Sequence, residues 1–168
     1  VIQRIGGKIR EFYLYPNSTQ SFYFDLSKAN ETNVLILKME KEKATERLLT
    51  AIRNPHTTIL GHPTGRLLLS REGYPIDHDR ILKACGEAGV VVELNAHPYR
   101  LDLDWRWIHK ALAYGVLISI NPDAHSIEGY NVMYYGVCCA RKAGLTAEHT
   151  FNAKNLEEIS LWFKKRKE

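Results

Sequence analysis

The sequence predicts an α/β fold with a parallel sheet, and three observations carry that reading. Short β-forming runs begin near residues 57, 90 and 116, spaced as in successive βα units. Segments with apolar residues at helical intervals separate them. The helical segments before the second and third runs each stop at a glycine, Gly89 and Gly115, the residue best suited to the left-handed turn that closes a helix.

The elements follow in order. Residues 1–38 are rich in aromatic and β-forming residues: Phe12 to Tyr15, then Phe22 to Phe24, with the turn-forming Pro16-Asn17-Ser18-Thr19 between them. A hairpin or two irregular strands is expected there, as a segment separate from residues 39–168. Lys41 to Arg53 carries a helical stripe of Ala44, Leu48, Leu49 and Ile52, ended by Asn54-Pro55. A strand at 57–60 ends at Gly61. Pro75 is placed in the first turn of a second helix with the stripe Ile81, Leu82, Cys85 and Ala88. A buried strand covers 90–94. Asp104 caps a third helix through Tyr114, and 116–120 is the next strand. Residues 130–143 and 155–166 read as two further helices.

Composition narrows the function classes. Of 168 residues, 23 are Lys or Arg and 19 are Asp or Glu, a formal charge of +4. Hydrophobic residues make up 45 % and charged residues 25 %, which excludes collagen, a mucin-like stalk and a long disordered tail. The charge is too small to assert nucleic-acid binding; the Lys164-Lys165-Arg166-Lys167 run reads as a solvated helix end. No stretch approaches the ~20 apolar residues of a membrane span. The N-terminus has no signal-peptide pattern and no initiator Met, so the chain is expected to start inside a longer one. Cys85, Cys138 and Cys139 form no disulfide framework or zinc knuckle, and a reducing, cytoplasmic setting is expected. The length is that of one domain, short of the roughly 250 residues of a closed (β/α) barrel.

The chemistry collects just after the strands. Residues 61–66 contain His62 and Arg66, residues 95–102 contain His97 and Arg100, and residues 121–126 contain Asp123 and His125. Parallel strands bring their carboxyl ends to one rim, so the three loops are expected to converge. In an extended Asp123-Ala124-His125 the two polar side chains project to one side and reach one metal, with His62 as third ligand. The competing reading has Asp123 capping the next turn and His125 donating to a backbone carbonyl. Arg66 and Arg100 are suited to phosphate; alternatively Arg100 pairs with Asp102 or Asp104, and Arg66 with Glu72. His97 reads as a substrate contact rather than a ligand. His56, His78, His109 and His149 are expected at the surface, Trp105 and Trp107 in packing, and Cys138 and Cys139 as inert core thiols.

The stretches ILGHPTGRLLLSREGYPID at 59–77, VELNAHPYRLDLDWRW at 92–107 and ISINPDAHSIEGYNVMYYGV at 118–137 resemble the polymerase and histidinol phosphatase (PHP) domain. The version they resemble most is the one at the C-terminus of bacterial family X DNA polymerases. The resemblance covers roughly residues 39–145. It implies part of a distorted (β/α) PHP-type barrel, phosphoester hydrolysis, and a 3′–5′ exonuclease or DNA 3′-end processing role. It further implies His62, Asp123 and His125 as catalytic ligands of Mn²⁺ or Zn²⁺, with Arg66 and Arg100 facing the substrate phosphate, while His97 inherits no ligand role from it.

The family's H-x-H motif is absent, and no histidine precedes His56, so the resemblance implies an incomplete metal site and weak or no activity for this chain alone. The alternative is a non-catalytic remnant that acts as a structural or self-associating module. The implied partners are a DNA 3′ end or another phosphate ester, a second copy of the chain, or the missing half of the domain. No membrane partner is expected.

Overall fold

The computed structural model describes residues 40–167, and the expected hairpin of residues 1–38 lies outside them. The described elements are α1 (Lys41–Ile52), β1 (Ile59–Leu60), α2 (His78–Ala88), β2 (Val91–Asn95), α3 (Trp105–Ala113), β3 (Ile118–Asn121), α4 (Met133–Lys142) and α5 (Leu156–Lys167). Short 3₁₀ turns at Glu128–Val132, Ala147–His149 and Phe151–Ala153 connect the last of them. The three strands form a parallel sheet in the order β1-β2-β3, with Ile59 opposite Val91 and Val92 opposite Ile118. Among the described residues the sheet is open, not a closed barrel.

β2 sits in the middle and is buried along its whole length, as a central strand covered on both faces must be. Helices consecutive in the chain touch one another, α1 with α2, α2 with α3 and α3 with α4, which gives the side-by-side layer of repeating βα units. The apolar stripes point inward as the periodicity requires. Ile81, Leu82 and Cys85 of α2 and Ile108 and Ala111 of α3 pack on Val90, Val92, Leu94 and Ile118. Burial pushes the Cys85 thiol up to about 12, so it is inert at neutral pH.

The caps explain most helix ends. Asp104 Oδ1 accepts the Arg106 backbone N–H at 3.0 Å and starts α3. Gly89, at φ 62, supplies the left-handed residue that closes α2. Pro75 is not in the first turn of α2. The helix begins at His78, where Asp77 Oδ1 accepts the Arg80 N–H at 3.2 Å, so a side-chain cap and not proline's fixed φ sets the start. Asp77 is itself positioned by the buried Thr45 hydroxyl of α1, which accepts the Asp77 N–H at 2.9 Å.

Two further expectations need correction. Cys138 is exposed and Cys139 half-buried, because α4 turns Gly136 and Ala140 toward the sheet instead. His78 is not a surface residue. Its ring stacks flat on Trp107, with centroids 4.4 Å apart, and fixes α2 to α3. Trp105 and Trp107 do pack against the core.

Burial lowers the pKa of His78 from 6.5 against the opposing pull of Asp102, Asp104 and Asp77. Between its lowered folded value and 6.5, the unfolded chain binds a proton that the folded chain does not. Stability therefore falls as the pH drops through that window. Urea unfolding at about pH 5.5 should show a lower midpoint than at about pH 7.5, and His78→Gln should reduce the difference. An equal pH dependence in both proteins would show that His78 has no part in it.

Candidate functional site

The carboxyl ends of the three strands carry the polar loops, and one buried carboxylate ties two of them together. Glu93, in the otherwise apolar β2, is 8 % exposed. Its Oε2 accepts the His62 backbone N–H at 2.5 Å and lies 3.0 Å from His62 Nδ1. Its Oε1 accepts from Asn121 Nδ2 at 3.0 Å. A carboxylate has no proton to give, so His62 donates from Nδ1 and, when neutral, keeps the free lone pair on Nε2. His125 repeats the arrangement. Its Nδ1 stands 2.8 Å from the Asp123 carbonyl oxygen, again leaving Nε2 as the basic nitrogen.

Asp123 meets Arg100 from the neighbouring loop, with Oδ2 accepting from Nε at 3.1 Å. Burial, the largest influence on Asp123, raises its pKa. Asn95, Arg100, His62 and His125 together outweigh burial and hold the carboxyl below its usual value. The Asn95 amide nitrogen is buried without a partner at hydrogen-bond distance, yet its dipole still favours the charged Asp123. Asp123 adopts φ 56 in the left-handed region, so Asp123-Ala124-His125 is not the extended segment expected.

A second, deeper set of contacts fixes the loop after β1. Asp102 is fully buried, and its Oδ2 accepts the Thr64 N–H at 3.0 Å, the Thr64 hydroxyl at 2.8 Å and the Gly65 N–H at 2.8 Å. Arg66 fills its guanidinium with Asp104 Oδ2 at 2.6 Å, the Arg100 carbonyl at 2.8 Å and the Leu101 carbonyl. Burial raises the Asp104 pKa, but Arg106 and Arg66 more than reverse this and hold it well below the carboxylate range.

The rim thus gathers His62, Arg100 and Asp123, with exposed His125 beside Asp123. Neither of the pairings considered for the arginines forms: Arg66 meets Asp104 rather than Glu72, and Arg100 meets Asp123 rather than Asp102 or Asp104. With three of its five N–H donors so taken, Arg66 is a clamp between two loops. His97 packs edge-on against Tyr99 at 5.2 Å, and its backbone N–H donates to Asn95 Oδ1 at 3.0 Å. Glu93 escapes the sequence reading, and Asp102 enters it only as a possible partner of Arg100, not as the anchor of Thr64 and Gly65. A glutamate inside the run Val90-Val91-Val92-Glu93-Leu94 was the available signal, since a charge in a buried strand needs a partner.

Two imidazoles and a carboxylate are donor types that divalent cations take. Both imidazoles have Nδ1 engaged by an acceptor, the support that metal-ligating histidines characteristically use, and Asp123 favours its charged form. Among the described residues, no three His, Cys, Asp or Glu side chains already stand together as a grip for one ion. Asp123 is instead paired with Arg100.

Fold and rim together define a βα-repeat protein with histidine, arginine and carboxylate groups on the carboxyl edge of a parallel sheet. No family model matches the chain. It is 41 % identical over 120 residues, 71 % of its length, to the DNA polymerase/3'-5' exonuclease PolX of Bacillus subtilis. It is 26 % identical over 132 residues to a probable phosphatase of Thermoanaerobacter sp., and 32 % over 90 residues to one of Caldanaerobacter subterraneus subsp. tengcongensis. The last two alignments cover 75 % and 50 % of the chain. The chain spans 21 % of the polymerase-exonuclease and 51 % and 33 % of the two phosphatases. No described helix is long and apolar enough to cross a membrane.

Proposed function

We propose that the chain supplies part of a PHP-type, divalent-metal phosphoesterase site, related to DNA 3′-end processing. The observation that carries the reading is the meeting of His62, Arg100 and Asp123 on the carboxyl rim, with both histidines presenting Nε2. Similarity to a polymerase/3'-5' exonuclease and to probable phosphatases supports the reaction class. His62, Asp123 and His125 would hold Mn²⁺ or Zn²⁺. When bound, the ion supplies polarisation of a phosphoryl oxygen and offsets charge developing at phosphorus.

The chain's own residues do the rest. Glu93 fixes the His62 tautomer, and Arg100, beside Asp123, would turn its fork toward the phosphate. Three ligands leave open positions on one ion and do not build a multinuclear site. The chain alone is accordingly a slow or inactive catalyst.

Incubation with Mn²⁺ or Zn²⁺ and a 3′-labelled single-stranded DNA, or p-nitrophenyl phosphate, tests this. Turnover should stay near background, with metal-dependent phosphate binding that Asp123→Ala weakens at least tenfold. Rapid metal-dependent turnover lost in Asp123→Ala would overturn the partial-site reading and keep the chemistry. Absence of both turnover and metal-dependent phosphate binding would sink the proposal.

A second reading, self-association, is favoured by one feature. Tyr130, Tyr134, Tyr135 and Val137 are exposed along α4 and the turn before it, at 65 %, 70 %, 48 % and 41 %. Sedimentation of the chain tests it: a dimer broken by Tyr134→Glu is the expected sign, and a monomer at all concentrations contradicts it.

A further inference from the structure

A cavity of about 430 Å³ opens between α1 and the loop after β1, beside His62. Arg47, Arg71 and Arg100 line it together with His62, and among the described residues no aspartate or glutamate does. Arg100 has Asp123 as its counter-charge. Arg47 and Arg71 have no carboxylate partner among the described residues, and Glu42 and Glu46 of α1 both pair with Arg80. Arg71 is steadied by its own donation from Nη2 to the Gly65 carbonyl at 2.7 Å.

The rest of the lining is largely apolar and includes Leu48, Ile76 and the planar ring of Tyr74. Tyr74 is fixed at its backbone, its N–H donating to the Thr64 carbonyl at 2.8 Å. Gly65 makes room for the ring: a Cβ there would come within 3.4 Å of it. Like charges gathered in a concave site without counter-charge attract an anion. The volume lies within the roughly 300–1,000 Å³ of pockets that enclose a whole organic ligand, well beyond what a bare phosphate fills.

We propose that this cavity binds a phosphate ester carried on a flat ring, with Arg47 and Arg71 on the phosphate and Tyr74 against the ring. A nucleotide and a simple aryl phosphate share that chemistry. The assignment rests on the phosphoesterase reading only for the idea that the bound ester reacts beside His62; the binding itself does not need it. Arg47, Arg71 and Tyr74 then select esters over inorganic phosphate.

Calorimetric titration of the full chain in a metal chelator tests the site separately from catalysis. The probes are deoxyadenosine monophosphate, phenyl phosphate, inorganic phosphate and adenosine. At least one of the two esters should bind at least tenfold tighter than inorganic phosphate and than adenosine. Arg47→Ala and Arg71→Ala should each weaken ester binding at least fivefold, and Tyr74→Leu should bring esters close to inorganic phosphate. Both arginines are exposed, so their replacement leaves the core intact. A tenfold preference for the deoxynucleotide over phenyl phosphate identifies a nucleotide site; equal affinities identify a general aryl-phosphate site.

Esters that bind no tighter than phosphate, or variants that bind as wild type does, overturn the proposal. Ester binding in a chain with no metal-dependent phosphate chemistry would leave this site standing and remove the phosphoesterase reading.

Discussion

Replacing Asp102 with alanine should lower the stability of the chain by about 2–3 kcal/mol and free the loop that carries His62. The carboxyl group is fully buried and holds the Thr64 N–H, the Thr64 hydroxyl and the Gly65 N–H at 2.8–3.0 Å. Truncation strands the Thr64 N–H in the interior, where an unmet donor costs about 1–3 kcal/mol. Two factors limit the loss. Gly65 N–H also reaches the His62 carbonyl at 3.0 Å, and Asp102 Oδ1 is already buried without a partner. Urea unfolding measures the effect, and faster amide exchange at Thr64 localises it. Asp102→Asn, which keeps an acceptor oxygen, should lose about half as much. A change below about 0.5 kcal/mol in Asp102→Ala would show that the loop is held by other contacts.

Gly136→Val should cost about 3 kcal/mol and disturb the rim at the same time. A Cβ on Gly136 would stand 2.4 Å from the Ala96 Cβ and 2.7 Å from Ile120 Cγ2. Those residues lie at the ends of β2 and β3, directly before the loops of His97 and Asp123. Helix α4 must therefore move off the sheet, and the strand ends lose the surface that steadies them. Gly136→Ala places the same Cβ against Ala96 and should also destabilise, but by less, because it adds no further methyl groups and gains about 1 kcal/mol of helix propensity over glycine. Thermal unfolding ranks the pair. Melting temperatures of both variants equal to that of the wild type would mean that the contact relaxes freely.

The parallel order was legible because its determinants are local. Apolar stripes, the Asp104 cap and the glycine after α2 are read from neighbouring residues, and the observed elements follow them within a few positions. The start of α2 was missed because Asp77 competes with Pro75 as the initiator, and the Thr45 hydroxyl from another helix decides between them. Convergence of the histidine loops follows from topology alone. The pairings do not, because Arg66 reaches 38 residues along the chain to Asp104 and Arg100 reaches 23 to Asp123. Periodicity carries no information at that separation. The left-handed backbone of Asp123 was equally hidden, since nothing in Pro122-Asp123-Ala124 demands it. His78 went astray for a related reason: a histidine at a helix start becomes half-buried only when a tryptophan of the next helix covers it.

The central claim is that His62, Asp123 and His125 act on one divalent ion. Titration of the full chain with Mn²⁺, followed by electron paramagnetic resonance of the free ion, tests it without requiring turnover. One saturable site per chain is expected, lost in His62→Ala and in Asp123→Ala and retained in His109→Ala. Binding that does not saturate, or that survives both site substitutions, would contradict the account.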